Sequence, residues 1–212
     1  MANKIMKGKF ITFEGTEGSG KSTQSKLLYD YLKAKGLKVI YLREPGGTRI
    51  SEKIRKILLD ANNKSMLPIC ETLLYLAARA QLVSEVILPA LKKGKIIICD
   101  RFLDSTLAYQ GFGLGVDIKT IKYIGNFATS GIKPDLTIFL DLPIEKGLSR
   151  CGRIKDRIEK RTFLYHHHVR GGYLKLAAQE HKRIKVIKVD SDKNKIQEKI
   201  RKAVLEKISH VI

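Results

Sequence analysis

The stretch FEGTEGSGKS, residues 13–22, carries glycines at positions 15, 18 and 20, directly before Lys21 and Ser22. Glycine loses more conformational freedom on ordering than any other residue, so such a cluster needs a reason. The reason is either an unusual backbone geometry or a partner that lies close against the backbone. The residues on either side of the cluster decide between these explanations.

The flanks of this stretch have the patterns of a strand and a helix. Residues 9–13, KFITF, are rich in β-branched and aromatic side chains, which predicts a short buried strand. Beyond the glycines, apolar residues recur at helical spacing from Leu27 to Leu32, and Gly36 ends the run. The cluster therefore joins a strand to the N-terminus of a helix. It also matches the pattern glycine, four free positions, glycine, lysine, serine.

This arrangement predicts a phosphate-binding loop. The backbone amides of such a loop point inward and, together with the helix dipole, form an anion site. Lys21 would then reach the outer phosphates of a nucleotide, and Ser22 would ligate magnesium. The alternative is a glycine-rich turn that matches by chance. The strand before the loop and the helix after it favour the functional interpretation.

Strand-like runs recur along the chain and alternate with segments of helical periodicity. The strand-like runs lie at 9–13, 37–42, 95–99, 135–141 and 183–189, and the strongest helical patterns lie at 20–35, 67–92 and 192–208. The strands are almost continuously apolar, which is typical of a parallel sheet covered by helices on both faces. A chain of 212 residues is long enough for one well-packed domain. We therefore predict a three-layer, doubly wound α/β fold with a five-stranded parallel sheet, as a single domain over residues 1–212.

The helical pattern at 67–92 is apolar around much of its circumference. A helix of this kind has to be buried against more than one neighbour. One such neighbour could be a second subunit.

The formal net charge of +20 is unusually high. It is compatible with a nucleic-acid binder, with attraction of anionic substrates, or with lysine used wherever a position is solvated. The basic residues are spread along the whole chain, without a polybasic tail. This distribution favours the last interpretation, so we expect no specific nucleic-acid partner.

The cysteines and the N-terminus indicate a cellular compartment. Cys70, Cys99 and Cys151 are odd in number, lie far apart and lack paired metal-type spacing, which predicts a reducing environment. The start of the chain, MANKIMKGKF, is too short and too often interrupted by lysine for a signal sequence. We expect no membrane span and a cytoplasmic protein.

Two further motifs follow predicted strands. REPGGT, residues 43–48, comes after the second strand, and DRFLDSTLAYQG, residues 100–111, comes after the third. In a parallel sheet these loops meet at the edge where ligands bind. Asp100 would hold magnesium directly or through water, and the guanidinium of Arg101 would bind a phosphate through two parallel hydrogen bonds. The alternative is a purely structural acid–base pair at a strand end.

The ordered set of motifs resembles the thymidylate kinase family. The resemblance runs from about Lys9 to the C-terminus, and it is carried by FEGTEGSGKST, REPGGT, LLYLAARAQ, DRFLDSTLAYQG, PDLTIFLDLP, DRIE and VRGGYLKLA. The resemblance implies phosphorylation of dTMP to dTDP by ATP with Mg²⁺ as cofactor, through direct in-line phosphoryl transfer in a homodimer. The cluster of motifs is much more specific than a phosphate-binding loop alone.

The resemblance also implies three sets of residues. The catalytic residues would be Lys21, Arg101, Arg153, Asp100 and Glu17. The ATP site would comprise Gly15, Thr16, Glu17, Gly18, Ser19, Gly20, Lys21, Ser22, Arg150, Arg153 and Arg157. The dTMP site would comprise Glu17, Tyr75, Arg79, Arg101, Thr106, Tyr109 and Gln110.

Several of these roles are specific. Glu17 would lie near the deoxyribose 3′-hydroxyl and the metal, and Tyr109 would pack against the sugar. Tyr75 stands where the family usually has a phenylalanine that stacks on thymine, although it could also be a simple core residue. Arg79 follows Tyr75 by four residues, so both side chains would share one helical face and Arg79 would bond the base.

Residues 150–161, RCGRIKDRIEKR, resemble the lid that closes over ATP in this family. The segment holds six basic and two acidic residues with little apolar anchoring, which predicts an exposed, movable segment. The phosphate-binding loop itself carries no arginine, so a lid arginine has to stabilise the transferred phosphoryl group. Arg153 is the first choice for that residue.

Three consecutive histidines lie at residues 166–168. Consecutive side chains on a helix diverge by about 100°, so these imidazoles would not converge on one metal ion. We expect a solvated helical face there.

Two competing functions remain open at this stage. The first is a kinase for another nucleoside monophosphate or for a deoxynucleoside. The second is a nucleic-acid-binding ATPase, which only the net charge supports.

Overall fold

The computed structural model describes residues 8–152 and 156–209. The strands are β1 (Lys9–Glu14), β2 (Val39–Arg43), β3 (Ile96–Asp100), β4 (Leu136–Asp141) and β5 (Ile184–Lys188). The helices are α1 (Lys21–Ala34), α2 (Arg49–Leu59), α3 (Pro68–Leu82), α4 (Leu88–Lys92), α5 (Leu103–Thr106), α6 (Ile118–Ala128), α7 (Ile144–Ser149), α8 (Phe163–Gln179) and α9 (Lys193–Ile208). Two π-helical segments, Val83–Ile87 and Leu107–Gly113, join α3 to α4 and extend α5.

The five strands form one parallel sheet in the order β2-β3-β1-β4-β5. This arrangement confirms the predicted doubly wound α/β fold. Residues of α1 and α9 form a core with one face of the sheet, and residues from α3 to α4 form a core with the other. β3 and β4 are therefore buried at every residue. This explains why their sequences are continuously apolar rather than alternating.

The phosphate-binding loop has a backbone that only glycine supplies without strain. Gly20 precedes α1 with a φ of 89°, and Gly18 has a φ of 67°. A Cβ on Gly18 would also lie 2.0 Å from the carbonyl oxygen of Gly147, at α7. Backbone geometry therefore favours glycine at both positions, and a close neighbour also requires it at Gly18.

The segment from Pro68 to Lys92 is long and apolar enough to cross a membrane. Its side chains Leu82, Val83 and Ile87 are fully buried, and they pack in one cluster with Phe10 of β1. The part of the segment from Leu82 to Ile87 therefore belongs to the core of this fold.

The prediction of an exposed segment is wrong for Arg157 and Ile158. Both side chains are buried, and Ile158 packs in a cluster with Tyr109 and Tyr165. Arg157 bonds the carboxylate of Glu71 on α3. The side chains of Arg157 and Ile158 are buried because each has a partner from elsewhere in the fold.

Candidate active site

A pocket opens at the edge of the sheet where the carboxyl ends of β1, β2 and β3 meet. Its lining includes Lys21 from the loop after β1, Glu44 from the loop after β2 and Arg101 from the loop after β3. The three motifs that follow predicted strands therefore meet in one cavity.

Lys21 is the first residue of α1 and is almost completely buried. Its Nζ donates to the carbonyl oxygen of Thr16 at 2.7 Å, so the ammonium group lies across the phosphate-binding loop. Burial and the nearby Arg101 lower the pKa of Lys21 to about 8, against the opposing effect of Glu17 and Asp100. An anion bound in the loop would favour the charged form of the lysine.

The hydroxyl of Ser22 donates to Oδ2 of Asp100 at 2.5 Å. A hydroxyl and a carboxylate beside a phosphate-binding loop are hard oxygen ligands of the kind that Mg²⁺ prefers. The two residues that the sequence assigned to magnesium are thus adjacent, and their donor atoms fit that ion.

Arg101 has a φ of 75°, which is uncommon for a residue other than glycine. The guanidinium donates from Nη1 to the carbonyl oxygen of Gly15 at 3.1 Å and to the hydroxyl of Ser105 at 3.2 Å. Its Nη2 donates to Oε1 of Glu17 at 3.2 Å, and the group lies 4.8 Å from the ring centre of Tyr109. Arg101 therefore connects the phosphate-binding loop with Tyr109, which also lines the pocket.

The turn that carries Arg101 is held by Glu14, the last residue of β1. Oε1 of Glu14 accepts from the backbone amide of Phe102 at 2.7 Å, and Oε2 accepts from the hydroxyls of Ser105 and Tyr173 at 2.6 and 2.8 Å. Burial and the nearby Asp104 raise the pKa of Glu14 to about 7. Glu14 therefore supports the unusual backbone of the turn from beneath the pocket.

Glu17 lines the pocket from within the phosphate-binding loop. Its Oε1 accepts from the hydroxyl of Tyr109 at 2.6 Å, and its Oε2 lies 3.3 Å from Nδ1 of His166. Burial raises the pKa of Glu17, but contacts with His166, Arg101 and Lys21 outweigh this effect and hold the pKa at about 2. Glu17 is therefore a charged acceptor at neutral pH.

The pocket is also lined by Tyr75, Thr106, Tyr109 and Gln110. Tyr109 and Gln110 are adjacent in sequence, yet both border the same cavity. They lie in the π-helical segment Leu107–Gly113, whose i to i+5 hydrogen bonding turns less per residue than an α-helix.

Comparison with known proteins identifies the family of this chain. The family model described as "Thymidylate kinase" matches residues 13–200. The chain belongs to the thymidylate kinase family. The thymidylate kinase of Pelotomaculum thermopropionicum is 52% identical over 185 residues, 86% of either chain. That of Geotalea daltonii is 53% identical over 189 residues, covering 85% of this chain and 88% of the relative.

A solved structure shows the same fold. The crystal structure of thymidylate kinase from Ehrlichia chaffeensis aligns with a TM-score of 0.78 and 34% identity. The alignment covers 93% of this chain and 98% of the other. The protein is therefore a kinase of this family, with the fold that the family shares.

Within this thymidylate kinase fold, Arg79 is separated from the pocket wall. Its Nε donates to Oε2 of Glu44, Nη1 donates to the hydroxyl of Thr106, and Nη2 donates to the carbonyl oxygen of Phe102, all within 2.9 Å. The side chain is 2% exposed and does not line the pocket, unlike the other residues predicted for dTMP. Arg79 holds Thr106 and Glu44 in place from behind.

The predicted lid arginines have different surroundings. Arg150 is exposed, and its Nη1 lies 3.4 Å from the carbonyl oxygen of Gly18, beside the phosphate-binding loop. Arg157 is bonded to Glu71 and does not line the pocket. Arg153 lies outside the described residues, so its catalytic role stays a prediction.

The expectation of a solvated histidine face is wrong for His166. This side chain is fully buried beside Glu17, whereas His167 is partly exposed. Among the residues that the structure describes, no group of three potential ligands of the His, Cys, Asp and Glu type comes together. The side of α8 that carries His166 is instead packed over the phosphate-binding loop.

Sequence reasoning missed several pocket residues. Glu44 and Arg55 line the cavity, and Arg55 donates to the carbonyl oxygen of Pro45 at 3.0 Å. Glu44 belongs to the REPGGT motif that was placed at this edge, and Arg55 lies on the helix that begins directly afterwards. Both residues follow the second predicted strand, and this position indicated that they lie at the ligand-binding edge of the sheet. His166 and Glu71 do not line the pocket, but they contact Glu17 and Gln110, which do. They had no such signal, because these partners are distant in sequence.

Proposed function

We propose that the protein transfers the γ-phosphoryl group of ATP directly and in line to dTMP, forming dTDP, with Mg²⁺ as cofactor. The observation that carries the proposal is the pocket shared by the phosphate-binding loop and the predicted dTMP residues. Arg101 links its two halves, because it contacts Gly15 and Glu17 and lies against Tyr109. The names of the relatives support the same activity.

The reaction requires positioning and charge neutralisation more than covalent chemistry. The phosphate of dTMP is already an oxyanion at neutral pH, so the acceptor needs no general base. Lys21 would hold the outer phosphates of ATP, while Arg101 would hold the acceptor phosphate opposite them. Arg55, which lines the same pocket, is a second cation available to the acceptor.

Magnesium would be held by Ser22 and Asp100, directly or through water. When bound, the ion supplies positive charge that neutralises the phosphate oxygens. Arg150, beside Gly18, would add charge at the ATP side when the lid closes. We place the reaction in the cytoplasm, as the cysteine pattern predicts.

The deciding experiment is an acceptor panel with ATP and Mg²⁺. We expect dTMP to be phosphorylated with the highest kcat/KM among dTMP, CMP, GMP, AMP and thymidine. A higher value for any other acceptor would contradict the proposal. ATP hydrolysis that DNA stimulates without any acceptor would instead favour a nucleic-acid-dependent ATPase.

Tyr109 should discriminate against ribose. Its hydroxyl donates to Glu17, and its ring, which lines the pocket, lies 4.8 Å from the guanidinium of Arg101, so the side chain is held in place at both its hydroxyl and its ring. A fixed ring against C2′ leaves a 2′-hydroxyl without room or a partner. We expect Tyr109→Ala to lower the ratio of kcat/KM for dTMP over the thymine ribonucleotide by about tenfold, mainly through better use of the ribonucleotide.

The matched control is Tyr109→Phe, which keeps the ring and removes only the hydroxyl that bonds Glu17. This variant should retain the sugar preference, although it should turn over more slowly. An unchanged ratio in a folded Tyr109→Ala protein would show that the ring only packs the helix onto the sheet.

We infer that the chain forms a homodimer through α3 and α6. Tyr123 and Phe127 on α6 are 82% and 84% exposed, and Leu67, Ile69 and Leu73 lie exposed at the start of α3. The two helices border one apolar groove. Exposed apolar surface of this extent favours association with a second copy.

Sedimentation tests this interface. At micromolar concentration we expect twice the chain mass of 23.9 kDa, and Phe127→Glu should reduce it to the monomer mass because a charge would be buried in the contact. Phe163→Glu, at an exposed position on α8, is the control and should stay dimeric. A wild-type protein that sediments as a monomer would overturn the inference.

A further inference from the structure

Glu71 of α3 is fully buried beside the nucleoside pocket. Its Oε1 accepts from Nε2 of Gln110 at 2.8 Å. Its Oε2 accepts from Nη1 of Arg157 and from Nη2 of Arg161. The carboxylate thus joins α3, the π-helical segment and the chain that follows residue 156.

The contact with Glu71 determines which way the amide of Gln110 points. Carboxylate oxygens that face two guanidinium groups act as acceptors, so only the NH₂ end of an amide can bond them. The carbonyl Oε1 of Gln110 must then point to the opposite side. Gln110 lines the pocket, and no donor among the described residues bonds its Oε1. Oε1 of Gln110 is therefore a hydrogen-bond acceptor that faces the pocket in a fixed direction.

This acceptor matches one feature of thymine. The pairing edge of thymine has oxygen acceptors at O2 and O4 and a single donor, N3–H. Cytosine has an unprotonated N3, which is an acceptor, in the same place. An acceptor that cannot turn would therefore accept a hydrogen bond from N3–H of thymine or uracil. It would face the unprotonated N3 of cytosine as one acceptor against another, which disfavours binding of cytosine.

We propose that Glu71 is a positioning residue that fixes the amide of Gln110 and so restricts the pocket to pyrimidines with a protonated N3. The proposal rests on the proposed function, and it adds the group that enforces the choice of base. Glu71 acts through Gln110 and has no contact with the substrate itself.

The surroundings of Glu71 explain why the anchor stays in place. Arg157 also donates from Nε to the carbonyl oxygen of Leu58 at 2.8 Å, at the end of α2. The guanidinium of Arg161 lies 4.7 Å from the ring centre of Tyr165 on α8. Both arginines are thus held from a second side, so the carboxylate between them has little freedom to rotate away from Gln110.

The test compares wild type, Glu71→Gln, Arg161→Gln and the double variant on dTMP, dUMP and dCMP with ATP and Mg²⁺. A glutamine at 71 can present either end of its amide, so Gln110 can turn and donate to N3 of cytosine. We expect the ratio of kcat/KM for dTMP over dCMP to fall by about tenfold or more in both variants that lack Glu71. Arg161→Gln keeps Glu71 and should keep the ratio.

The dUMP arm separates this effect from general loosening of the pocket. Uracil has the same N3–H as thymine, so the ratio of dTMP over dUMP should stay within twofold in every variant. If Glu71→Gln alone does not fold, the double variant serves in its place. It removes one acidic and one basic side chain together, so it leaves fewer unpaired buried charges.

Two results would overturn the inference. The first is a dTMP-over-dCMP ratio within twofold of wild type in a folded variant that lacks Glu71. The second is an equal gain for dUMP and dCMP, which would indicate a loosened pocket. In both cases a wild-type enzyme active on dTMP leaves the proposed function intact, whereas a wild type inactive on dTMP would overturn both.

Discussion

Lys21→Ala lowers kcat by about 100-fold or more, the expected result of removing a preorganised charge from a phosphoryl-transfer site. The ammonium group is buried in the loop and already contacts the carbonyl oxygen of Thr16, so it needs little rearrangement to meet a phosphate. Alanine removes the cation and leaves the loop backbone, whose amides still bind phosphate. We therefore expect kcat to fall much more than the affinity for dTMP, as measured by steady-state kinetics and calorimetry.

Lys26→Ala is the matched control on the same helix. Lys26 is exposed; it pairs with Asp30 across one helical turn, and its ammonium group lies 4.3 Å from the ring centre of Tyr29. Such a pair contributes little, so turnover should stay within about twofold. Thermal unfolding of Lys21→Ala shows whether the loop has kept its structure. Turnover of that variant within threefold of wild type would contradict the assignment.

Arg101→Lys lowers kcat/KM for dTMP by about 100-fold, with a much smaller change in the KM for ATP. The guanidinium contacts Gly15, Ser105 and Glu17 at once, and it still has to meet the acceptor phosphate. An ammonium group is a point charge that cannot hold this planar set of contacts. The substitution keeps the charge, so the expected loss measures geometry rather than net electrostatics.

Arg49→Lys, at an exposed position where α2 begins, is the control for this exchange and should leave both substrates unaffected. The competing explanation is that Arg101 only neutralises the buried Glu17. In that case lysine, which keeps the positive charge, would leave kcat/KM close to wild type for both substrates. Near-wild-type kinetics, or a loss shared equally by both substrates, would refute the specific role in acceptor binding.

Local patterns were sufficient for the sheet and the phosphate-binding loop. The predicted runs at 95–99 and 135–141 correspond to β3 and β4 within one residue, because a strand buried on both faces is apolar at every position. The glycines of the loop were equally readable, since positive φ and a close neighbour at Gly18 exclude other side chains. The meeting of three strand-end motifs follows from the parallel sheet, in which all carboxyl ends lie at one edge.

Local patterns failed where a side chain depends on a distant partner. Arg157 was predicted to be solvated because its own neighbours are charged. Its burial is made favourable by Glu71, 86 residues earlier, and by the carbonyl oxygen of Leu58. His166 belongs to a polar run of sequence, yet the packing of α8 over the loop buries it beside Glu17.

The sequence by itself thus determined the sheet, the loop and the edge at which they meet, because periodicity and glycine placement act within a few residues. Tertiary structure alone decided the outward direction of Gln110 and the withdrawn position of Arg79. Gln110 is oriented by a carboxylate on another helix, and Arg79 is held by Glu44 after β2 and by Phe102 and Thr106 after β3. Hydrogen bonds between segments far apart in the chain have no periodicity, so they become visible only when the fold brings their partners together.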